Sequence, residues 1–156
     1  MVYVFDTNSM RVLGNYYPGQ FPTFWQLFDD GVSAGLVVSV REVRNELEDQ
    51  ITKDWYLKWI AAHRTMFLVP GTDETEFVSE IFTVAHFHTL VGETQRLRGQ
   101  PVADPFVIAC AKVRDGTVVT EEGMKPNAAK IPNVCAHFGI PCTNVEGFLS
   151  ENGWQF

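Results

Sequence analysis

Val2-Tyr3-Val4-Phe5-Asp6-Thr7-Asn8, at the start of the chain, is a β-favouring run ended abruptly by a charge. Gly14, Pro18, Gly19 and Pro22 then punctuate a loop that leads into a helix from about Thr23 to Asp30. Leu36-Val37-Val38 repeats the short apolar strand, bounded by Gly35 and Ser39. Val40, Val43, Leu47 and Ile51 follow it at helical spacing. A further helix carries Trp55, Leu57, Trp59 and Ile60, with the two tryptophans read as core, and Phe67-Leu68-Val69 reads as an edge strand. Thr72 to Arg98 is largely helical in pattern, with a break at Gly92. Asp104-Pro105 opens a helix that is apolar nearly all round from Phe106 to Ala111, and such a helix is buried. Asp115-Gly116 ends it, and Thr117-Val118-Val119-Thr120 is the next strand. Short apolar strands alternating with helices predict an α/β fold, a parallel sheet with helices on both faces. No repeat or Ser/Gly linker divides the chain, so residues 1–156 read as a single domain.

The composition is that of a globular chain: 46% apolar and 20% charged residues exclude wholesale disorder. No apolar run approaches the ~20 residues of a membrane span. No basic region precedes the first apolar stretch, so no signal peptide and a cytoplasmic location are expected. Cys110, Cys135 and Cys142 are odd in number and form no CxxC pair, and they read as buried thiols. A net charge of −7 argues against a broad electrostatic grip on nucleic acid. It leaves room for a nucleic-acid substrate if some of the acidic groups hold cations.

Parallel sheets bind ligands at the carboxyl ends of their strands, and acidic residues gather there. Asp6 ends the first strand, where it is either a ligand or a helix cap. Glu46 falls on the flank of its helix's apolar stripe, within reach of a cleft, whereas Glu42, Glu48 and Asp49 read as solvated surface. Asp104 before Pro105 reads as an N-cap, with one carboxylate oxygen left over for a cation. Glu121 and Glu122 follow the strand at 117–120 and point in different directions, so at most one of them joins Asp6. Carboxylates brought together in this way repel one another unless they hold a hard, oxygen-seeking ion such as Mg²⁺ or Mn²⁺. His86 and His88 cannot share a helix face, which argues against zinc.

In order and spacing, these pieces resemble the PIN-domain family of metal-dependent ribonucleases. The resemblance rests on Val4-Phe5-Asp6-Thr7-Asn8, on Ser39 through Glu46-Leu47, on Ala103-Asp104-Pro105-Phe106-Val107-Ile108-Ala109-Cys110-Ala111, and on Val118-Val119-Thr120-Glu121-Glu122. It implies a three-layer α/β/α sandwich with a central parallel sheet of four to five strands. It makes Asp6, Glu46, Asp104 and Glu122 the catalytic metal ligands, with Glu121 in reserve for the fourth place. Thr7, Asn8 and Thr120 would hydrogen-bond the carboxylates or a bound water. Arg11, Lys125 and Lys130, in loops near the same edge, are candidates for phosphate contacts. The family more often carries aspartate at the fourth position, followed by a short connection to a phenylalanine, where this chain has a longer basic loop from Gly123 to Lys130.

The implied activity is endoribonucleolytic hydrolysis assisted by Mg²⁺ or Mn²⁺, giving 5′-phosphate and 3′-hydroxyl ends. Without the four acidic residues the net charge of −7 becomes −3. By the same resemblance the chain is expected to be the toxin of a type II toxin–antitoxin pair, with an antitoxin partner, an RNA substrate and a homodimeric state. Two alternatives differ in kind. One is a PIN-like module that binds RNA or protein without cutting. The other is a phosphatase of the haloacid-dehalogenase type with Asp6 as nucleophile, which wants a second aspartate where this chain has Asn8.

Overall fold

The computed structural model describes residues 1–90 and 102–156. At its centre is a five-stranded, all-parallel sheet: β1 (Tyr3–Phe5), β2 (Val37–Val40), β3 (Phe67–Leu68), β4 (Thr117–Val119) and β5 (Cys142–Thr143), in the order β3-β2-β1-β4-β5. Tyr3 registers with Val37 on one side and Thr117 on the other. Parallel neighbours need crossover connections, and helices supply them here. These are α1 (Thr7–Leu13), α2 (Pro22–Ser33), α3 (Arg41–Gln50), α4 (Asp54–Ala62), α5 (Thr72–Thr83), α6 (Ala103–Val113) and α7 (Ile131–Phe138); α8 (Val145–Glu151) follows β5.

Both faces of the sheet are covered, and its central strands β1, β2 and β4 are buried throughout. Phe5 meets Phe28 of α2 at 5.5 Å between ring centroids and Phe148 of α8 at 5.1 Å, both edge to face. Trp25 extends this aromatic layer to Trp55 and Trp59 of α4, so the two tryptophans pack against the core as read, though each is only half-buried. Helix α6 touches β1, β2 and β4 as well as α3 and α5. Its buried residues, Val107 to Ala111, leave it no solvent face of any size. Gly116 lets β4 start close against β1: a Cβ there would lie 2.7 Å from the Val2 carbonyl oxygen.

The three-layer α/β/α expectation therefore holds, with several local corrections. Residues 7–13 form α1, started by Asp6, where no element was expected. Strand β2 continues through Ser39 and Val40, because the Ser39 hydroxyl donates to the Phe5 carbonyl (2.7 Å) and so can be buried. The helix from Thr72 stops at Thr83, and a 3₁₀ turn takes up Ala85–Leu90; the rest of that expected helix and the break at Gly92 lie outside the described residues. Glu42 is not solvated surface. It is 1% exposed and paired with Arg41 at 2.8 Å. The cysteines are free thiols, Cys110 and Cys135 buried and Cys142 half-buried. Among the described residues no helix is long and apolar enough to cross a membrane.

Candidate active site

Strands β2 and β4 lie on opposite sides of β1, so the chain leaves β1 where the sheet's winding reverses, and a crevice opens there at the carboxyl ends. Asp6 sits in that crevice, 1% exposed. Its Oδ1 accepts the Ser9 backbone N–H at 2.8 Å, so it caps α1, and its Oδ2 accepts the Thr120 hydroxyl at 2.5 Å. Of the two sequence readings of Asp6, ligand or cap, the cap is observed. The Ser9 hydroxyl lies 2.9 Å from the Val119 carbonyl and 3.1 Å from that of Asp6, tying the ends of β1 and β4 together. Burial pushes the Asp6 carboxyl up to about 6, against the Thr120 and Ser9 hydrogen bonds, and the charge of Glu122 pushes the same way.

Glu46, half-buried on α3, accepts the Thr7 hydroxyl at 3.0 Å. Its carboxyl is raised by burial and by Asp6, with the Thr7 and Ala103 donors acting in the opposite direction. Asp104 does not cap α6: the helix begins at Ala103 after Val102, and Asp104 lies within its first turn. Its carboxyl is pushed up to about 8, first by burial and then by Glu122, Asp6 and Glu46, with Lys130 opposing. Asp104 thus feels the charges of the other three carboxylates foreseen from the sequence.

The adjacent glutamates part company. The Glu122 N–H donates to the Thr120 hydroxyl (3.2 Å), and its Oε2 accepts the Ile131 N–H at the start of α7 (3.0 Å). Thr120 therefore links Asp6 to Glu122. Glu121 instead accepts the Val145 N–H at the start of α8 (2.8 Å), away from Asp104. A polar cavity of about 210 Å³ lies between Asp104 and Glu122, and Lys130 also lines it. Arg11 and Asn8 line a separate groove of about 470 Å³ with Glu121. Asn8 is exposed and, among the described residues, makes no hydrogen bond to the carboxylates. Lys125 is exposed and lines neither cavity. Ser9 was not foreseen; its signal was the Asp-x-x-Ser spacing of a capped helix start.

A set made only of carboxylates suits a hard divalent cation. Among the described residues no three His, Cys, Asp or Glu side chains close tightly enough to grip one ion as they stand. The fit rests on donor chemistry and on like charges that, among the described residues, Lys130 opposes at Asp104.

No curated protein matches the chain. Among solved structures it is similar to VapBC2 from Rickettsia felis bound to a DNA fragment from their promoter, at 12% identity and a TM-score of 0.53. It is also similar to VapBC-1 from nontypeable Haemophilus influenzae, at 14% identity and a TM-score of 0.51. Each match covers 92% of this chain and 98% of the other. These likenesses bear on the fold, which is PIN-like. Residues 3–156 match the family described as Domain of unknown function (DUF4411), and the chain belongs to that family.

Proposed function

We propose that the protein is a metal-dependent endoribonuclease, the toxin of a toxin–antitoxin pair. The observation that carries this reading is the gathering of Asp6, Glu46, Asp104 and Glu122 near the strand ends, where burial first, and then the charges of Glu122, Asp6 and Glu46, push the Asp104 carboxyl up to about 8. These four residues would hold Mg²⁺ or Mn²⁺. When bound, such an ion supplies a Lewis acid and a water of lowered pKa for phosphodiester hydrolysis.

The protein's own groups do the positioning. Ser9 and Thr120 fix both oxygens of Asp6, and Thr7 fixes one oxygen of Glu46. Their acceptor directions are therefore set before anything binds, which limits the reorganisation needed during reaction. Lys130, beside Asp104 and Glu122, would meet a phosphate oxygen, and Arg11, in the separate groove, would meet another; Lys125, exposed and lining neither cavity, has no such support. The VapBC assemblies of like fold support a protein inhibitor as partner; a homodimeric state is a further part of the proposal.

The test is RNA cleavage by purified protein with Mg²⁺, Mn²⁺ or EDTA. Cleavage should require the metal and fall by at least a hundredfold in Asp6→Asn and Glu46→Gln. One observation favours a second reading, a binding module: no three acidic side chains close on a point among the described residues. RNA retained without cleavage under every divalent metal would establish that alternative.

A further inference from the structure

The groove beside the carboxylates ends in a feature that hydrolysis does not use. Asn8 and Arg11 from α1, Asn15 just beyond it, and Gln50 and Lys53 from the α3–α4 connection line a space of about 470 Å³. Asn8 and Arg11 share one face of α1, so the groove follows that helix before reaching Asn15 beyond its end. None of the four carboxylates lines it; Asn8 and Glu121, which do, are the chain neighbours of Thr7, which holds Glu46, and of Glu122. At the far end the Lys53 ammonium donates to the Gly14 carbonyl (2.7 Å) and to Asn15 Oδ1 (3.1 Å), and it stands 5.2 Å from the centroid of the Tyr17 ring. An ammonium has three N–H donors, so these two bonds leave one. Among the described residues neither Lys53 nor Arg11 pairs with a carboxylate. Tyr17 is 48% exposed although an ammonium covers part of it, so aromatic surface remains open next to a fixed positive charge.

We propose that Tyr17 and Lys53, with Arg11, form a nucleotide subsite: a base of the RNA stacks on Tyr17 while its phosphate takes the Lys53 and Arg11 charges. This deepens the ribonuclease reading and rests on it. The chemistry is that of a stacking platform beside cations, which tolerates any base because every base has a π-face.

The test is anisotropy of a short fluorescein-labelled oligouridylate in EDTA, across a salt series, alongside cleavage in Mn²⁺. Tyr17→Ala should weaken binding about tenfold, and Tyr17→Phe should bind as wild type. Lys53→Gln and Arg11→Gln should each lower the salt slope by about 0.7. Tyr17 is exposed, so its variants keep the fold, and thermal melts check the Lys53 variant, which loses two tethers. If Tyr17→Ala and an Arg11→Gln/Lys53→Gln double variant bind with wild-type affinity and slope while wild type still cuts RNA, the subsite is wrong and the nuclease reading survives. If wild type neither binds nor cuts, both fall. A copurified protein that shields Tyr17 from proteolysis, with RNA binding unaffected by the substitutions, would assign the groove to a protein partner and overturn the subsite.

Discussion

Asp104→Asn should make the metal-free protein more stable, and only above acid pH. The Asp104 carboxyl keeps its proton to about 8 in the fold, against an ordinary value of 3.8. Between those values the folded state carries a proton that the unfolded chain has released. Stability therefore falls as pH rises, by ~1.4 kcal/mol per pH unit. The loss is absent below about pH 4, amounts to ~4 kcal/mol by pH 7, and is complete above about pH 8. Asparagine removes the ionisation and keeps the shape, but its buried amide has a desolvation cost of its own. The net gain expected at pH 7.5 is thus ~2–4 kcal/mol, or roughly 5–15 °C in melting temperature for a chain of this length. Urea unfolding in EDTA at pH 4, 6 and 8 measures it. Mn²⁺ should then restore wild type by ~2.7 kcal/mol at one hundred times its Kd and restore the variant by less. Parallel stability curves for the two proteins from pH 4 to 8 would refute the reasoning, because Asp104 would then be solvated and its neighbours' charges unfelt.

Two further substitutions probe the supports of the site. Thr120→Val leaves Asp6 Oδ2 without its hydroxyl partner in a buried place; denaturant unfolding should show a loss of ~1–3 kcal/mol, and Mn²⁺ should bind more weakly. Gly116→Ala drives a methyl to 2.7 Å from the Val2 carbonyl, a backbone atom that cannot swing aside; a loss of ~1–3 kcal/mol is expected, with metal affinity unchanged in the protein that remains folded.

Strands β1 to β4 were legible because they read as short, mostly apolar runs, and the all-round apolar α6 announced its own burial; β5, two half-buried residues, was not read. The acidic residues were legible by place, each at a strand end or on the inner flank of a helix. Other features depend on partners distant in sequence. Glu121 and Glu122 are indistinguishable in the chain, and what separates them is the backbone each one caps: Val145 for the first, Ile131 for the second. Glu42 defeats the helical wheel, which gives an angle relative to the helix's own stripe and nothing about what covers its first turn. Helix α1 has no apolar periodicity strong enough to declare it. It exists because Asp6 caps it and because Met10 and Leu13 are buried against the core. Ser39 looked like a strand boundary because its partner, the Phe5 carbonyl, belongs to another strand.

The central claim is that Asp6, Glu46, Asp104 and Glu122 form one divalent-cation site. Mn²⁺ titration followed by electron paramagnetic resonance at pH 7.5 tests it most directly. The account predicts saturable binding by wild type, lost or weakened at least tenfold in Asp6→Asn and in Asp104→Asn. Equal binding by wild type and both variants, or none by wild type at millimolar Mn²⁺, would contradict it.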